Sequence, residues 1–362
     1  MQNRIYNFSA GPAILPEEVL LEAQENLFSL PGVGMSVLEI SHRSKHYDAI
    51  HQAAKADLKE LLSIPDNYEI LFLQSGASMQ FSMVPLNLMP PVNKADYIIT
   101  GTWSKKALKE AKRVGTINVA ASTESENFNR IPSQEELKLD PEAAYVHFTS
   151  NNTIFGTEWA NEPNVGNVPL VCDASSDMLH KKIDITKYGL IYGGAQKNMG
   201  PSGLVVVIIR KDLLERSSDS LHTMLNYKIH AENDSLYNTC NVFGIYIFGL
   251  VCKWLKKLGG LDAMYAINKN KAKLLYDCFD NSGGYFKGHA LPDSRSLMNI
   301  TFRLPSEELE KKLIAEATKA GFDGLKGHRS VGGLRASVYN AFPTKGVEEL
   351  VSFLNQFKAQ NG

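Results

Sequence analysis

A lone lysine among small residues, in Gly193-Gly194-Ala195-Gln196-Lys197-Asn198-Met199-Gly200-Pro201-Ser202-Gly203, is the first place where this chain has the means for chemistry. Small neighbours let a flat, bulky group approach the backbone. A lysine kept from water beside apolar or cationic groups loses basicity and becomes an amine nucleophile toward carbonyls. The same segment also reads as an ordinary phosphate-contacting loop or a β-turn. Asp173 shifts that balance. It closes the apolar run Val168-Pro169-Leu170-Val171-Cys172, twenty-four residues before Lys197, where an acid is costly unless it meets a cation. A pyridinium nitrogen is such a cation, and a carboxylate beside it keeps the ring protonated and able to withdraw carbanion electrons. Asp173 also suits an N-cap for Ala174-Ser175-Ser176.

Weaker signals surround these two. Ser75-Gly76-Ala77-Ser78 precedes a helical pattern over residues 79–88. Free N–H groups at a helix start, flanked by small residues, make a phosphate cup, although serine and glycine there are also plain capping. Trp103 follows an apolar run and Gly101-Thr102; its flat ring suits stacking on a pyridine face or a half-buried core position equally. Thr153 can donate to a ring oxygen or simply complete a turn. His42-Arg43 and His328-Arg329 are two imidazole–guanidinium pairs, and Arg335 is a third guanidinium close to the second pair. Such groups match carboxylates and phosphates; singly, each also reads as a surface ion pair.

The elements that must position these residues alternate. Residues 16–28, 47–62 and 105–113 carry apolar positions at helical spacing, while 68–73, 97–100, 117–121, 144–148, 169–173, 190–192 and 204–209 are short apolar runs. That order predicts βαβ units, a mostly parallel sheet and helices on both faces. Ligands in such sheets sit beyond the carboxyl ends of the strands, and Ser75 to Ser78, Trp103, Thr153, Asp173 and Gln196-Lys197 each close or follow an apolar run. After Arg210 longer helical stretches (242–258, 261–279, 307–320, 347–357) alternate with strands at 297–302 and 334–339. This predicts a large cofactor-binding domain over 16–258 and a smaller α+β domain over 259–362, with residues 1–15 packed against it as an arm.

Composition narrows the classes of function. With Lys+Arg 38 against Asp+Glu 39, the net charge of -1 supplies no basic field for nucleic acid. The apolar stretch 245–255 is cut short by Lys253, Lys256 and Lys257, so a buried helix is expected and no membrane role. Cys172, Cys240, Cys252 and Cys278 form no C-x-x-C pair, which reads as reduced thiols in a cytoplasmic protein whose first residues lack a signal-peptide core. No metal site is expected. No G-x-G-x-x-G follows the first strand, which argues against a nicotinamide-dependent oxidoreductase. A cofactor-free binding module would leave Lys197 and Asp173 unexplained.

Four segments together carry a resemblance: Asn7-Phe8-Ser9-Ala10-Gly11-Pro12-Ala13, Ser41-His42-Arg43-Ser44, Gly193 to Asn198, and Gly327-His328-Arg329-Ser330-Val331-Gly332-Gly333-Leu334-Arg335-Ala336-Ser337. They closely resemble the class V pyridoxal-phosphate-dependent aminotransferases, in particular the phosphoserine aminotransferase family, over residues 8–357. The resemblance implies the aspartate-aminotransferase-like α/β fold and a homodimer with shared active sites. It implies that Lys197 holds pyridoxal 5'-phosphate as a Schiff base and that Asp173 pairs with the pyridinium. Trp103 would stack on the ring and Thr153 would bond its oxygen. Ala77, Ser78 and Gln196 would hold the cofactor phosphate, with Asn238 and Thr239 reaching it from the partner subunit. Arg335 would bind the substrate carboxylate, and Arg43, His328 and Arg329, with His42, would line the side-chain anion site. The expected reaction passes the amino group of glutamate to 3-phosphohydroxypyruvate, giving O-phospho-L-serine and 2-oxoglutarate in serine biosynthesis, with the freed Lys197 amine as base. One departure stands out: a major branch of the family has an arginine where this chain has Ala77. The nearest rival within class V is a different aminotransferase or a cysteine desulfurase, and for the latter Cys240 is the one cysteine near the expected site.

Overall fold

The computed structural model describes residues 4–362. At its centre a seven-stranded sheet runs in the order Tyr68–Leu73, Val205–Arg210, Leu190–Gly194, Leu170–Asp173, Val146–Thr149, Lys94–Ile99, Thr116–Ser122. Every pairing among the last five is parallel. Val205–Arg210 is antiparallel to both of its neighbours, and is the one strand reversed. The reversal follows from connection length. The loop from Gly194 to Val205 contains no helix and returns alongside its own strand, whereas a parallel return needs a crossover of a dozen or more residues.

Both faces of the sheet are covered, as the apolar runs predict. One core cluster gathers Phe72, Val146, Phe148, Cys172, Ile191 and Val206 beneath the helices Lys45–Leu62 and Val242–Lys257. The other takes the alternate residues, Leu71, Tyr97, Val171, Tyr192 and Val207, with the helices Ala77–Leu88 and Thr102–Ala111. Residues 245–255 lie in a buried helix, and no helix among the described residues is long and apolar enough to cross a membrane.

A third core lies around a smaller antiparallel sheet, Lys287–Gly288, Asn299–Arg303 and Leu334–Ser337. It joins Phe8 of the N-terminal arm to residues from Ala272 to Phe357. The arm enters as the strand Tyr6–Asn7, parallel to Phe322–Asp323. Helix Gly260–Asp280 bridges two cores, with Leu261 and Met264 under the large sheet and Leu275 and Phe279 in the third.

One buried cation ties that helix to the rest. Lys271 is fully buried, and its Nζ donates to the carbonyls of Val338 (2.9 Å), Tyr339 (2.7 Å), Asn340 (3.4 Å) and Phe342 (3.2 Å). Desolvation pushes its ammonium down to about 7, and the carbonyl dipoles act against that loss. Replacing Lys271 with Met removes the donor and leaves buried acceptors bare. We expect Lys271→Met to destabilise the fold by about 2–4 kcal/mol, read as an earlier onset of unfolding in calorimetry; an unchanged transition would show that the carbonyls need no donor there.

Candidate active site

The carboxyl ends of the parallel strands open onto a cavity of about 320 Å³. Lys197, Asp173, Gln196, Trp103, Thr153, Ala77, Ser78, His328 and Arg335 all line it. Each of the first seven follows a strand of the large sheet, whereas His328 and Arg335 come from the third-core layer. Two distant stretches of sequence therefore close one space.

Lys197 is half-buried, and the walls around it lower its ammonium to about 8 by desolvation; Asp173 opposes that shift and Arg335 adds to it. The arm packs against it. Gly11, at φ +144, lies so close that a Cβ there would sit 3.5 Å from Lys197 Cε, and Ala13 N donates to Gln196 O at 2.8 Å. A residue with a side chain would be strained at that φ, although its Cβ would meet the lysine only at ordinary contact distance.

Asp173 is 4 % exposed, and burial raises its carboxyl above the ordinary value against the pull of Ser175 and Lys197. Ser175 donates to Oδ1 twice, through N (3.0 Å) and Oγ (2.6 Å). The capping role and the cavity role are thus compatible. Oδ2 takes no hydrogen bond from the described residues. Ser175 Oγ in turn accepts from Gly194 N at 3.2 Å, so the loop leading to Lys197 is fastened to Asp173. Ser175 was legible in the sequence only as part of a cap.

Trp103 Nε1 donates to Thr153 Oγ1 at 3.0 Å, which leaves the threonine hydroxyl proton free for another acceptor. Lys197 Nζ stands 6.0 Å from the indole centroid. Arg335 Nη1 donates to Thr153 O at 2.8 Å, while its Nε is buried without a partner. Gly101 precedes Trp103 because nothing larger fits: a Cβ would lie 2.5 Å from Asn152 Oδ1. The helix Ala77–Leu88 begins at Gly76 with no side-chain cap, so its first N–H groups face the cavity mouth unsatisfied by any side chain.

These features fit pyridoxal phosphate. A free carboxylate oxygen suits a pyridinium N–H, and an uncapped helix start suits a phosphate. A hydroxyl with a spare proton suits a phenolic oxygen. Thr149 Oγ1, buried and without a partner, is a further unused polar atom on the lining. The lining also includes Asn151 and Ser176, joined by a 2.8 Å bond, which no motif had marked.

A family model described as aminotransferase class-V matches residues 5–350. The chain belongs to the class V aminotransferases. It is 56 % identical to a phosphoserine aminotransferase of Lysinibacillus sphaericus (strain C3-41), with 100 % of both chains covered. The solved phosphoserine aminotransferase from Bacillus circulans subsp. alkalophilus superposes with a TM-score of 0.98 at 50 % identity, covering 99 % of each chain. A phosphoserine aminotransferase from Trichomonas vaginalis, solved with PLP bound, gives 0.93 at 40 % identity over 97 % of this chain and 100 % of that one.

Against this class V framework, five residues expected at the site do not line the cavity in the single chain. His42 and Arg43 lie in the turn before helix Lys45–Leu62, which Ser44 caps by accepting from Tyr47 N. Arg329 is exposed beside His328. Asn238 Nδ2 donates to Gln74 Oε1 at 2.7 Å, and Thr239 is exposed next to it. Cys240, the residue a desulfurase would need, is 6 % exposed, and its thiol donates to Tyr47 Oη at 2.9 Å. Burial raises that thiol above its ordinary value. A protonated thiol held in a packed wall is a poor nucleophile.

The amine of Lys197 gains nucleophilicity as pH rises through about 8. Asp173 stabilises its protonated form, so Asp173→Asn removes that support and lowers the midpoint. We expect the cofactor-free protein to condense with an aldehyde along a titration centred near 8, with the midpoint at lower pH in Asp173→Asn. A midpoint near 10 in the wild type would contradict the desolvated setting.

Proposed function

We propose that this chain is a phosphoserine aminotransferase, moving the amino group of glutamate onto 3-phosphohydroxypyruvate to give O-phospho-L-serine and 2-oxoglutarate. The observation that carries this reading is a desolvated Lys197 sharing one cavity with a buried carboxylate and two anion-binding groups, His328 and Arg335. The curated relatives that match over the full chain bear that name.

Pyridoxal 5'-phosphate, when bound, supplies a protonated ring that accepts the electrons released at the substrate α-carbon. Asp173 would face the ring nitrogen, where a cation offsets the burial that raises its carboxyl. Thr153 and Trp103, bonded to each other on the lining, would orient the ring. The free N–H groups near Ala77 and Ser78, with Gln196, receive the phosphate. Lys197 would hold the cofactor through Nζ, and its amine, titrating near 8, is matched to moving the proton at the substrate α-carbon at neutral pH. Arg335 receives the α-carboxylate, and its unused Nε gives a second donor for a forked contact.

The protein works as a homodimer in the cytoplasm. Asn238 and Thr239 reach the phosphate in the opposite subunit, and His42, Arg43 and Arg329 complete the substrate anion site. Their absence from the cavity of a single chain supports a site assembled from two chains. The chain divides into two domains, a cofactor-binding one over residues 16–258 and a smaller one over residues 259–362 with the arm.

Purified protein with added cofactor should convert 3-phosphohydroxypyruvate only when glutamate is present. Lys197→Ala should reduce turnover to background, and normal turnover in that variant would sink the assignment. Sedimentation should give twice the chain mass of 40.1 kDa; a monomer retaining full activity would refute the shared site.

A further inference from the structure

Lys106 lies three residues after Trp103, one turn into the helix Thr102–Ala111, and its Nζ is 4.4 Å from the indole centroid. No carboxylate pairs with it among the described residues, whereas the adjacent Lys105 is held by Glu124. The indole that Lys106 rests on lines the cavity, and the Lys106 charge acts on His328 of the same lining.

Cationic groups gather around it. Burial, then Arg335, Arg329 and Lys106, hold the His328 imidazole below its ordinary value. Among the described residues Asp173 is the only carboxylate on the cavity lining, and Lys197 already acts on it. Like charges in excess of their counter-ions raise the energy of the empty site, and an arriving anion recovers that energy in proportion to its own charge. A phosphate ester carries about two negative charges at neutral pH and a side-chain carboxylate carries one. The cluster therefore favours the phosphorylated substrate over glutamate.

We infer that Lys106 is a specificity-determining residue of this site: its ammonium, laid over Trp103, meets the substrate phosphate and separates it from a carboxylate. This inference rests on the transamination proposed above. The test uses the cofactor-loaded enzyme and follows the two half-reactions separately by cofactor absorbance, one with O-phospho-L-serine and one with glutamate. Lys106→Met should weaken O-phospho-L-serine about tenfold and glutamate by no more than about threefold, while Lys106→Arg stays within about twofold of wild type for both. Equal losses for both donors, no loss for either, or an arginine variant as impaired as the methionine one would each overturn it. A merely structural role in propping Trp103 would weaken both donors alike and disturb the cofactor spectrum. Wild-type enzyme that ignores O-phospho-L-serine altogether would instead overturn the functional reading itself.

Discussion

Two ionisable groups, Asp173 and Lys197, are taken out of water on neighbouring strand ends, and much of the surrounding structure follows from keeping both in place. Burying an unpaired carboxylate or ammonium costs several kcal/mol even after relaxation. Each is moved toward its neutral form by that burial, and each counters the shift in the other. The parallel register sets Asp173 beside Thr149 on one side and Tyr192 on the other. Ser175 then bridges Asp173 to Gly194, so the carboxylate and the lysine loop cannot drift apart independently. A site strained in this way is completed by a ligand that brings a cation to Asp173 and a carbonyl to Lys197.

The third-core layer supplies the other wall, and its attachment is polar. Lys271 gathers the carbonyls between Val338 and Phe342, and Asn340 N donates to Asn198 Oδ1 at 3.0 Å, next to Lys197. Tyr339 donates through Oη to Ala10 O at 2.8 Å, bringing in the arm beside Gly11. A second buried set works nearby. His180 Nε2 lies 2.9 Å from Glu158 Oε1, and Glu158 Oε2 accepts from Leu297 N at 2.7 Å. Burial opposes ionisation of Glu158, but His180 and that N–H outweigh it and hold the carboxyl below its ordinary value. These bonds fix Arg335 relative to Lys197, where a purely apolar interface would tolerate sliding.

Much of this was legible in advance. The runs 68–73, 169–173 and 204–209 read as strands and are strands within a residue at each end, because an apolar segment bounded by glycine, proline or charge has few other stable uses. Helix 105–113 begins three residues earlier than its periodicity suggested, since Gly101 and Ser104 form the start. The reversal of Val205–Arg210 is absent from its own apolar pattern, which would suit either direction, and is set by the short helix-free connection before it. Lys106 was passed over for the same reason, as a lysine on a helix has no distinctive spacing until the indole beneath it is seen.

By itself the sequence determined the chemistry on offer: one lysine among glycines, one acid closing an apolar strand, and imidazole–guanidinium pairs suited to anions. It also determined that these residues follow strand ends, since burial periodicity is local and each segment states its own. Only the tertiary structure decided which of them meet. It brought His328 and Arg335 across from another layer to Lys197 and left His42, Arg43, Arg329, Asn238 and Thr239 outside the single-chain cavity. It also shared Asp173 between a cap and the cavity. The reason is physical: convergence of distant side chains depends on strand order, register and layer packing, which are sums over contacts between segments and are written in none of them alone.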